Sequence, residues 1–237
     1  MNREQGTGNR DQGQVTDPRS PPPSPQQNIS ARDEILNRLR SQAREVDPPA
    51  PWRSRRQFEG LAEQFTQALT AVKGEVWQAK DFAEALEQLG QIFRQIEAES
   101  AVADAHMLLD EVDLPCRWPE VQWHIVGRTE GDLREFAATA DVGISGADAA
   151  LAETGSVVVS SGPGRSRLTS LLPPVHVALV PTSCLTADIF TWTAARQGEL
   201  PSSLTLISGP SKTADIEQTM AIGVHGPKRF IAILYED

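Results

Sequence analysis

The sequence is poor in cysteine: Cys116 and Cys184 are its only two among 237 residues. Neither belongs to a C-x-x-C motif, and neither has histidines at a spacing typical of zinc or iron–sulfur ligands. We therefore expect this chain to bind no metal and no cofactor of its own. Two isolated thiols are typical of a reducing compartment, so the expected location is the cytoplasm.

Long apolar runs and clustered basic residues are also scarce. No run approaches the roughly 18 apolar residues of a membrane span, and the first residues contain no apolar segment typical of a secretory signal. The net charge is −10, which disfavours a nucleic-acid partner because phosphate binding needs clustered Lys and Arg. One basic cluster, Arg53, Arg55 and Arg56, lies beside Pro and Trp and is interpreted as a solvated linker.

Proline dominates the beginning of the chain. Residues 1–29 contain the stretch Pro18–Pro25 and very few apolar side chains, so they are expected to form a disordered tail. Ser30 has the character of a helix N-cap, which predicts a short helical arm over residues 30–57. Residues 30–237 are then predicted to form a single α/β domain that includes this arm.

Apolar spacing predicts helices and strands in alternation. Apolar residues at three- and four-residue spacing predict helices over 58–72 and 82–96. Alternating strands and helices indicate a mostly parallel sheet with helices on both sides, and in such folds ligands collect beyond the carboxyl ends of the strands. The predicted strands cover residues 75–77, 106–109, 123–126, 157–160, 175–180, 204–207 and 230–234.

Three polar, glycine-containing segments are candidates for chemistry. In the first, residues 143–156, Glu153 precedes a predicted strand and could act as a nucleophile or general base, or merely pair with a nearby backbone amide. In the second, residues 208–217, hydroxyls and Lys212 offer an anion site, although helix capping explains the same composition. In the third, residues 223–228, His225 could act as an acid or base, or simply bond a loop carbonyl.

Taken together, these segments resemble the lactate utilization protein C family (the LutC/YkgG group, with the LUD domain). The resemblance rests on Ala152–Gly155, Gly209–Glu217 and Gly223–Pro227, in this order. It implies a fold similar to the NagB/RpiA/CoA-transferase-like group. It also implies a role beside iron–sulfur partner proteins that oxidise L-lactate to pyruvate, with the clusters held only by those partners.

The motif residues form the predicted site. Glu153 and His225 are the catalytic candidates. The candidates for binding a ligand or anion are Thr154, Gly155, Ser211, Lys212, Thr213, Asp215 and Gly226. Two positions depart from the family pattern, because Ser156 stands where Thr is frequent and Lys212 where Arg is frequent; Lys cannot make the two-pronged contact of a guanidinium.

Three functions remain open from the sequence. The first is an accessory or substrate-handling component of an iron–sulfur L-lactate oxidation system. The second is a self-sufficient enzyme of the CoA-transferase or isomerase kind that uses Glu153. The third is a binding module that senses a small molecule. Related folds host unrelated chemistries, so the fold does not decide among them.

Overall fold

A computed structural model describes residues 25–42, 52–105, 112–213 and 221–237. The chain divides into two units, residues 1–50 and 51–237. In the first unit the described part is the helix α1, Pro25–Gln42. This helix begins five residues before the predicted N-cap Ser30, and Pro25 at its start is compatible with a first helical position. The predicted tail up to residue 24 lies outside the described residues, as does the predicted strand 106–109.

The second unit holds the other helices and the strands. The helices are α2 (Leu61–Ala71), α3 (Phe82–Ile96), α4 (Leu114–Arg117), α5 (Leu133–Thr139), α6 (Arg167–Leu171) and α7 (Ile189–Ala195). The strands are β1 (Glu75–Ala79), β2 (Ser100–Ala103), β3 (Gln122–Ile125), β4 (Val142–Gly146), β5 (Ala149–Leu151), β6 (Ser156–Ser161), β7 (Val175–Pro181), β8 (Leu185–Thr186), β9 (Ser203–Ile207), β10 (Lys212–Thr213), β11 (Ala221–Ile222) and β12 (Arg229–Tyr235). A 3₁₀ turn, Thr182–Cys184, joins β7 to β8.

Among the described residues, six strands form a parallel sheet in the order β1-β12-β7-β4-β2-β3. The interior strands β7 and β12 are buried almost throughout. Their apolar runs lack alternation because both faces of the sheet are covered. The predicted fold class, α/β with a mostly parallel sheet flanked by helices, is therefore confirmed.

One face of the sheet packs against α3. Asp81 caps this helix by accepting a hydrogen bond from the amide of Glu84 at 2.8 Å, and its apolar stripe, including Leu89 and Phe93, is buried against the sheet. Within this layer, Ile231 and Ile233 of β12 point toward the helix side. The two-residue period of a strand sends Phe230, Ala232 and Leu234 to the opposite face.

The opposite face is covered by a second sheet, by α2 and by α5 and α6. Among the described residues this second sheet has four strands in the order β8-β5-β6-β9. Val157 and Val159 of β6 share a core with Phe65 and Leu69 of α2. Elsewhere on this face, Val102 of β2 packs with α5 residues and with Leu168 of α6.

The second sheet and strand β4 differ from the sequence prediction, which placed no strand within residues 143–156. The reason is local composition: Gly143, Ser145 and Gly146 give β4 too few large apolar residues to be recognised. Small size is required at Gly143, because a Cβ there would lie 1.8 Å from the carbonyl oxygen of Thr169. Because α6 packs so closely on β4, this strand has small residues where large apolar residues would have indicated a strand in the sequence.

Candidate functional site

A cavity of about 320 Å³ opens between α6, β9 and the first residues of β12. Three of the predicted site residues line it: Ser211, His225 and Gly226. Two of the three motif segments therefore meet at one place. The full lining comprises Ser170, Leu171, Thr205, Leu206, Ile207, Ser208, Gly209, Pro210, Ser211, His225, Gly226, Pro227 and Phe230.

Backbone hydrogen bonds hold the two segments together. The amide of Ser211 donates to the carbonyl of Pro227 at 2.9 Å, and the amide of Gly223 donates to the carbonyl of Ser211 at 2.8 Å. Strands β10 and β11 extend this contact as an antiparallel pair. Gly226 lies so close that an added Cβ would be 3.2 Å from the Cβ of Ser211. The local geometry therefore fixes Ser211 and His225 at the same cavity.

The cavity lies at the amino-terminal end of β12, since Phe230 is the second residue of that strand. The sequence analysis expected ligands beyond the carboxyl ends of the strands. One of the two motif segments that line the cavity, residues 223–228, directly precedes β12, and the other begins at Ser208, directly after the carboxyl end of β9 in the second sheet.

Lys212 and Thr213 do not line the cavity. The ammonium of Lys212 donates to the carbonyl of Val72, just after α2, which attaches β10 to that helix end. The contact of Lys212 with an anion stays a prediction. Thr213 continues β10 and pairs with Ala221. Asp215 lies outside the described residues.

Glu153 occupies the turn between β5 and β6, away from the lining of the cavity. Its amide donates to the carbonyl of Ala187 at 2.9 Å, and its carboxylate forms an ion pair with the guanidinium of Arg56. About 28% of the Glu153 side chain is exposed. The structure therefore does not bring the two catalytic candidates, Glu153 and His225, together at the cavity.

Thr154 and Gly155 are connected to the rest of the domain in different ways. The hydroxyl of Thr154 lies 2.6 Å from that of Ser156, which in turn lies 2.6 Å from the hydroxyl of Ser208 in the cavity wall. Gly155 has φ +62°, and a Cβ there would lie 2.2 Å from the backbone nitrogen of Leu69. Gly155 therefore permits close packing of the turn on α2.

Sequence reasoning did not single out Ser208, Ser170 or Phe230 as site residues. Ser208 directly follows the predicted strand 204–207 and begins the second motif segment, so its position in the sequence could have indicated it. Ser170 and Phe230 come from distant parts of the chain and reach the cavity only through packing of α6 and β12. No spacing in the sequence links them.

A buried histidine adjoins the cavity wall. His176 is fully buried in β7, its Nε2 lies 2.9 Å from the hydroxyl of Ser145, and its ring centroid is 5.2 Å from that of Phe230. Burial lowers the pKa of His176 to about 3, so the imidazole is neutral at physiological pH. The sequence analysis interpreted His176 as structural, and its position within the core fits that interpretation.

Metal-ligating side chains lie dispersed over residues 25–42, 52–105, 112–213 and 221–237. Within these ranges, no three His, Cys, Asp or Glu side chains come together in a group that could hold a metal ion. Cys116 and Cys184 are both free thiols. Across the same ranges, every helix is too short or too polar to cross a bilayer.

A family model described as the LUD domain matches residues 62–235. The chain belongs to the LUD domain family. This confirms the resemblance drawn from the motifs, and the matched range contains the cavity and the Glu153 turn. The chain is also similar to relatives called lactate utilization protein C. One, from Halalkalibacterium halodurans, is 38% identical over 185 residues, which cover 75% of this chain and 78% of the relative.

Two further comparisons agree. A lactate utilization protein C from Exiguobacterium sp. is 45% identical over 111 residues, so the match spans about half of that relative (48%) and 44% of this chain. A crystal structure of a DUF162 family protein from Deinococcus radiodurans aligns with a TM-score of 0.50 at 16% identity, covering 74% of this chain and 96% of that one. At this identity the likeness concerns the fold.

Proposed function

We propose that this LUD domain protein is an accessory, substrate-handling component of an L-lactate oxidation system, working in the cytoplasm beside iron–sulfur partner proteins. The name of its relatives supports lactate as the nutrient. The observation that carries the substrate-handling role is the cavity of about 320 Å³, which Ser211 and His225 both line. This volume lies within the range of small-molecule sites.

The proposal assigns binding to this chain and electron transfer to its partners. L-Lactate becomes pyruvate by losing two electrons and two protons, and the electrons need an acceptor. In the proposed system that acceptor is an iron–sulfur cluster of a partner. The described residues of this chain contribute hydroxyls, an imidazole and an apolar wall, which are suited to holding and orienting a small molecule.

Deletion of the gene in an organism that lacks a paralogue tests the proposal. We expect growth on L-lactate to fail and growth on a sugar to continue. The tagged full chain, purified from lactate-grown cells, is expected to bring iron-containing partners in a stable ratio, measured by mass spectrometry and iron analysis. Unchanged growth on lactate would contradict the proposal, and recovery of the chain alone and free of iron would contradict the partnership.

The Glu153 enzyme stays a separate prediction with its own test. A catalytic carboxylate must reach its substrate, whereas that of Glu153 pairs with Arg56. The variant Glu153→Gln keeps the size of the side chain and removes its charge. The substrate-handling proposal expects this variant to restore growth of the deletion strain on lactate, while the enzyme alternative expects it to fail although the protein folds.

A further inference from the structure

Three hydroxyl groups form a continuous chain from the turn beside Glu153 to the cavity. Thr154 and Ser208 at its two ends are exposed, Ser156 between them is only 2% exposed, and Ser208 lines the cavity. Both hydroxyl–hydroxyl distances are 2.6 Å, which is within the range of short O–H···O hydrogen bonds. The LUD domain thus connects the turn beside Glu153 with the cavity through buried Ser156.

The protons in this row of three hydroxyl groups can be arranged in two ways. Each hydroxyl has one proton to donate, so Ser156 donates either to Ser208 or to Thr154 and accepts from the other. If Thr154 donates to Ser156 and Ser156 donates to Ser208, the proton of Ser208 is free to point into the cavity. If the chain runs the other way, Ser208 donates to Ser156 and presents only acceptor lone pairs to the cavity.

An anion in the cavity would select the direction in which Ser208 presents its proton. Among the described residues that line the cavity there is no Asp or Glu, so no carboxylate there repels an anion. An anion in the cavity would accept a charge-assisted hydrogen bond from Ser208, which is about twice as strong as a neutral one. Hydrogen bonds in a chain also polarise one another, so an anion would strengthen the whole row.

We propose that the cavity binds an organic carboxylate, that Ser208 donates a hydrogen bond to it, and that Ser156 is the positioning residue that directs the Ser208 proton. Apolar wall residues, Leu171, Leu206 and Phe230, suit the carbon part of such a ligand. The cavity holds roughly ten water-sized volumes of about 30 Å³ each, so a short-chain acid fits with space remaining. This inference rests on the proposed function, because it names the ligand class of the same cavity.

The experiment measures binding to the full chain by NMR. The side chain of His225 serves as the reporter, and its ring signal is assigned by its loss in His225→Gln. The probes are pyruvate, L-lactate, the uncharged lactamide and inorganic phosphate, each titrated at constant pH and ionic strength. We expect pyruvate and L-lactate to shift the His225 signal and to bind about 10-fold more tightly than lactamide.

Variants of the hydroxyl chain separate positioning from packing. Ser156→Ala is expected to weaken carboxylate binding by about 5- to 10-fold and to leave lactamide affinity nearly unchanged. Ser156→Thr, which keeps the hydroxyl, is expected to bind within about 2-fold of the native chain. Thr154→Val alters an exposed side chain and is expected to weaken carboxylate binding by about 2- to 5-fold, because Ser156 loses its donor.

Several results would overturn the inference. They are an absence of any carboxylate-induced shift at His225, an equal loss of carboxylate and lactamide affinity in Ser156→Ala, and binding of phosphate in preference to both acids. These affinities are measured on the isolated chain, so they stand or fall independently of growth on lactate. Unchanged growth of the deletion strain on lactate, together with intact carboxylate selectivity, would refute the lactate role and leave the site assignment in place.

Discussion

At the scale of single residues, Asp104 combines burial with a charge-bearing side chain. It follows β2, is only 5% exposed, and its Oδ1 accepts hydrogen bonds from the Ser166 amide at 3.1 Å and the Thr169 hydroxyl at 2.8 Å. Burial raises the pKa of Asp104 to about 6, and the two hydrogen bonds oppose part of that effect. On acidification, the carboxyl therefore takes up its proton about two pH units above the pH at which an exposed aspartate does.

This raised pKa predicts that stability falls as the pH rises from about 4 to about 6. The folded state binds the proton more tightly than the unfolded chain, so the contribution of Asp104 is complete below the unfolded pKa of 3.8 and is lost as the pH passes the folded value. Asp104→Asn keeps an acceptor for both hydrogen bonds without the charge. We expect it to unfold with a free energy up to about 3 kcal/mol higher than the native chain at pH 7.5, and with an equal one near pH 4.

Urea unfolding of both chains across this pH range measures the difference. The control is Asp81→Asn, which changes an aspartate that caps a helix and for which we expect no gain in stability at pH 7.5. A free-energy difference between native and Asp104→Asn chains that stays constant from pH 4 to pH 7.5 would refute the account of Asp104.

At the residue scale, the sequence pointed to short motifs, and the structure brings parts of two of them together. Ser211, His225 and Gly226 were selected from local composition, and the structure places all three at one cavity. Lys212 was selected for its charge, yet its ammonium bonds the carbonyl of Val72, a contact across 140 positions. A sequence shows which groups are available but not which backbone atom, far along the chain, will satisfy them.

At the scale of elements, the turn between β5 and β6 is attached to α2 through Gly155. Its φ of +62° is a left-handed conformation, and an added Cβ would overlap the backbone of Leu69. Gly198 provides a matched comparison, because its φ is +86° and an added Cβ would have no heavy atom within 4 Å. Both glycines have a positive φ that is unfavourable for other residues, but only Gly155 is closely packed.

We expect Gly198→Ala to lower the free energy of unfolding by about 1 kcal/mol, which is the cost of the left-handed backbone alone. Gly155→Ala is expected to lower it by at least about 3 kcal/mol, since the helix must also move away from the turn. Thermal or urea unfolding measures both values. Equal losses in the two variants would contradict close packing of this turn on α2.

Element prediction was accurate where one face carried a clear apolar period. The predicted helix 82–96 coincides with α3, and the predicted strands 175–180 and 230–234 lie within β7 and β12. It failed at β4 and β5, whose small residues resemble those of a loop. Gly143 has to be small because α6 packs against it. This contact forms only in the folded chain, so the sequence does not reveal it.

At the scale of the whole molecule, alternating strands and helices sufficed to predict a parallel sheet. The second sheet was not foreseen, because β6 pairs with β9 across more than 40 intervening positions. That pairing builds one wall of the cavity, and β12 and α6 contribute the others. The site therefore depends on contacts between segments that are far apart in sequence, which local patterns do not encode.

The central claim, that this LUD domain protein serves lactate oxidation through its cavity, is tested most directly by filling the cavity in living cells. Leu206 lines the cavity and is 42% exposed, so Leu206→Trp adds bulk there without demanding space in the core. Leu200, 74% exposed and outside the lining, gives the matched control Leu200→Trp. We predict that a deletion strain regains growth on L-lactate with the native gene or Leu200→Trp and stays arrested with Leu206→Trp, at equal protein levels. Equal growth with both variants would contradict the account.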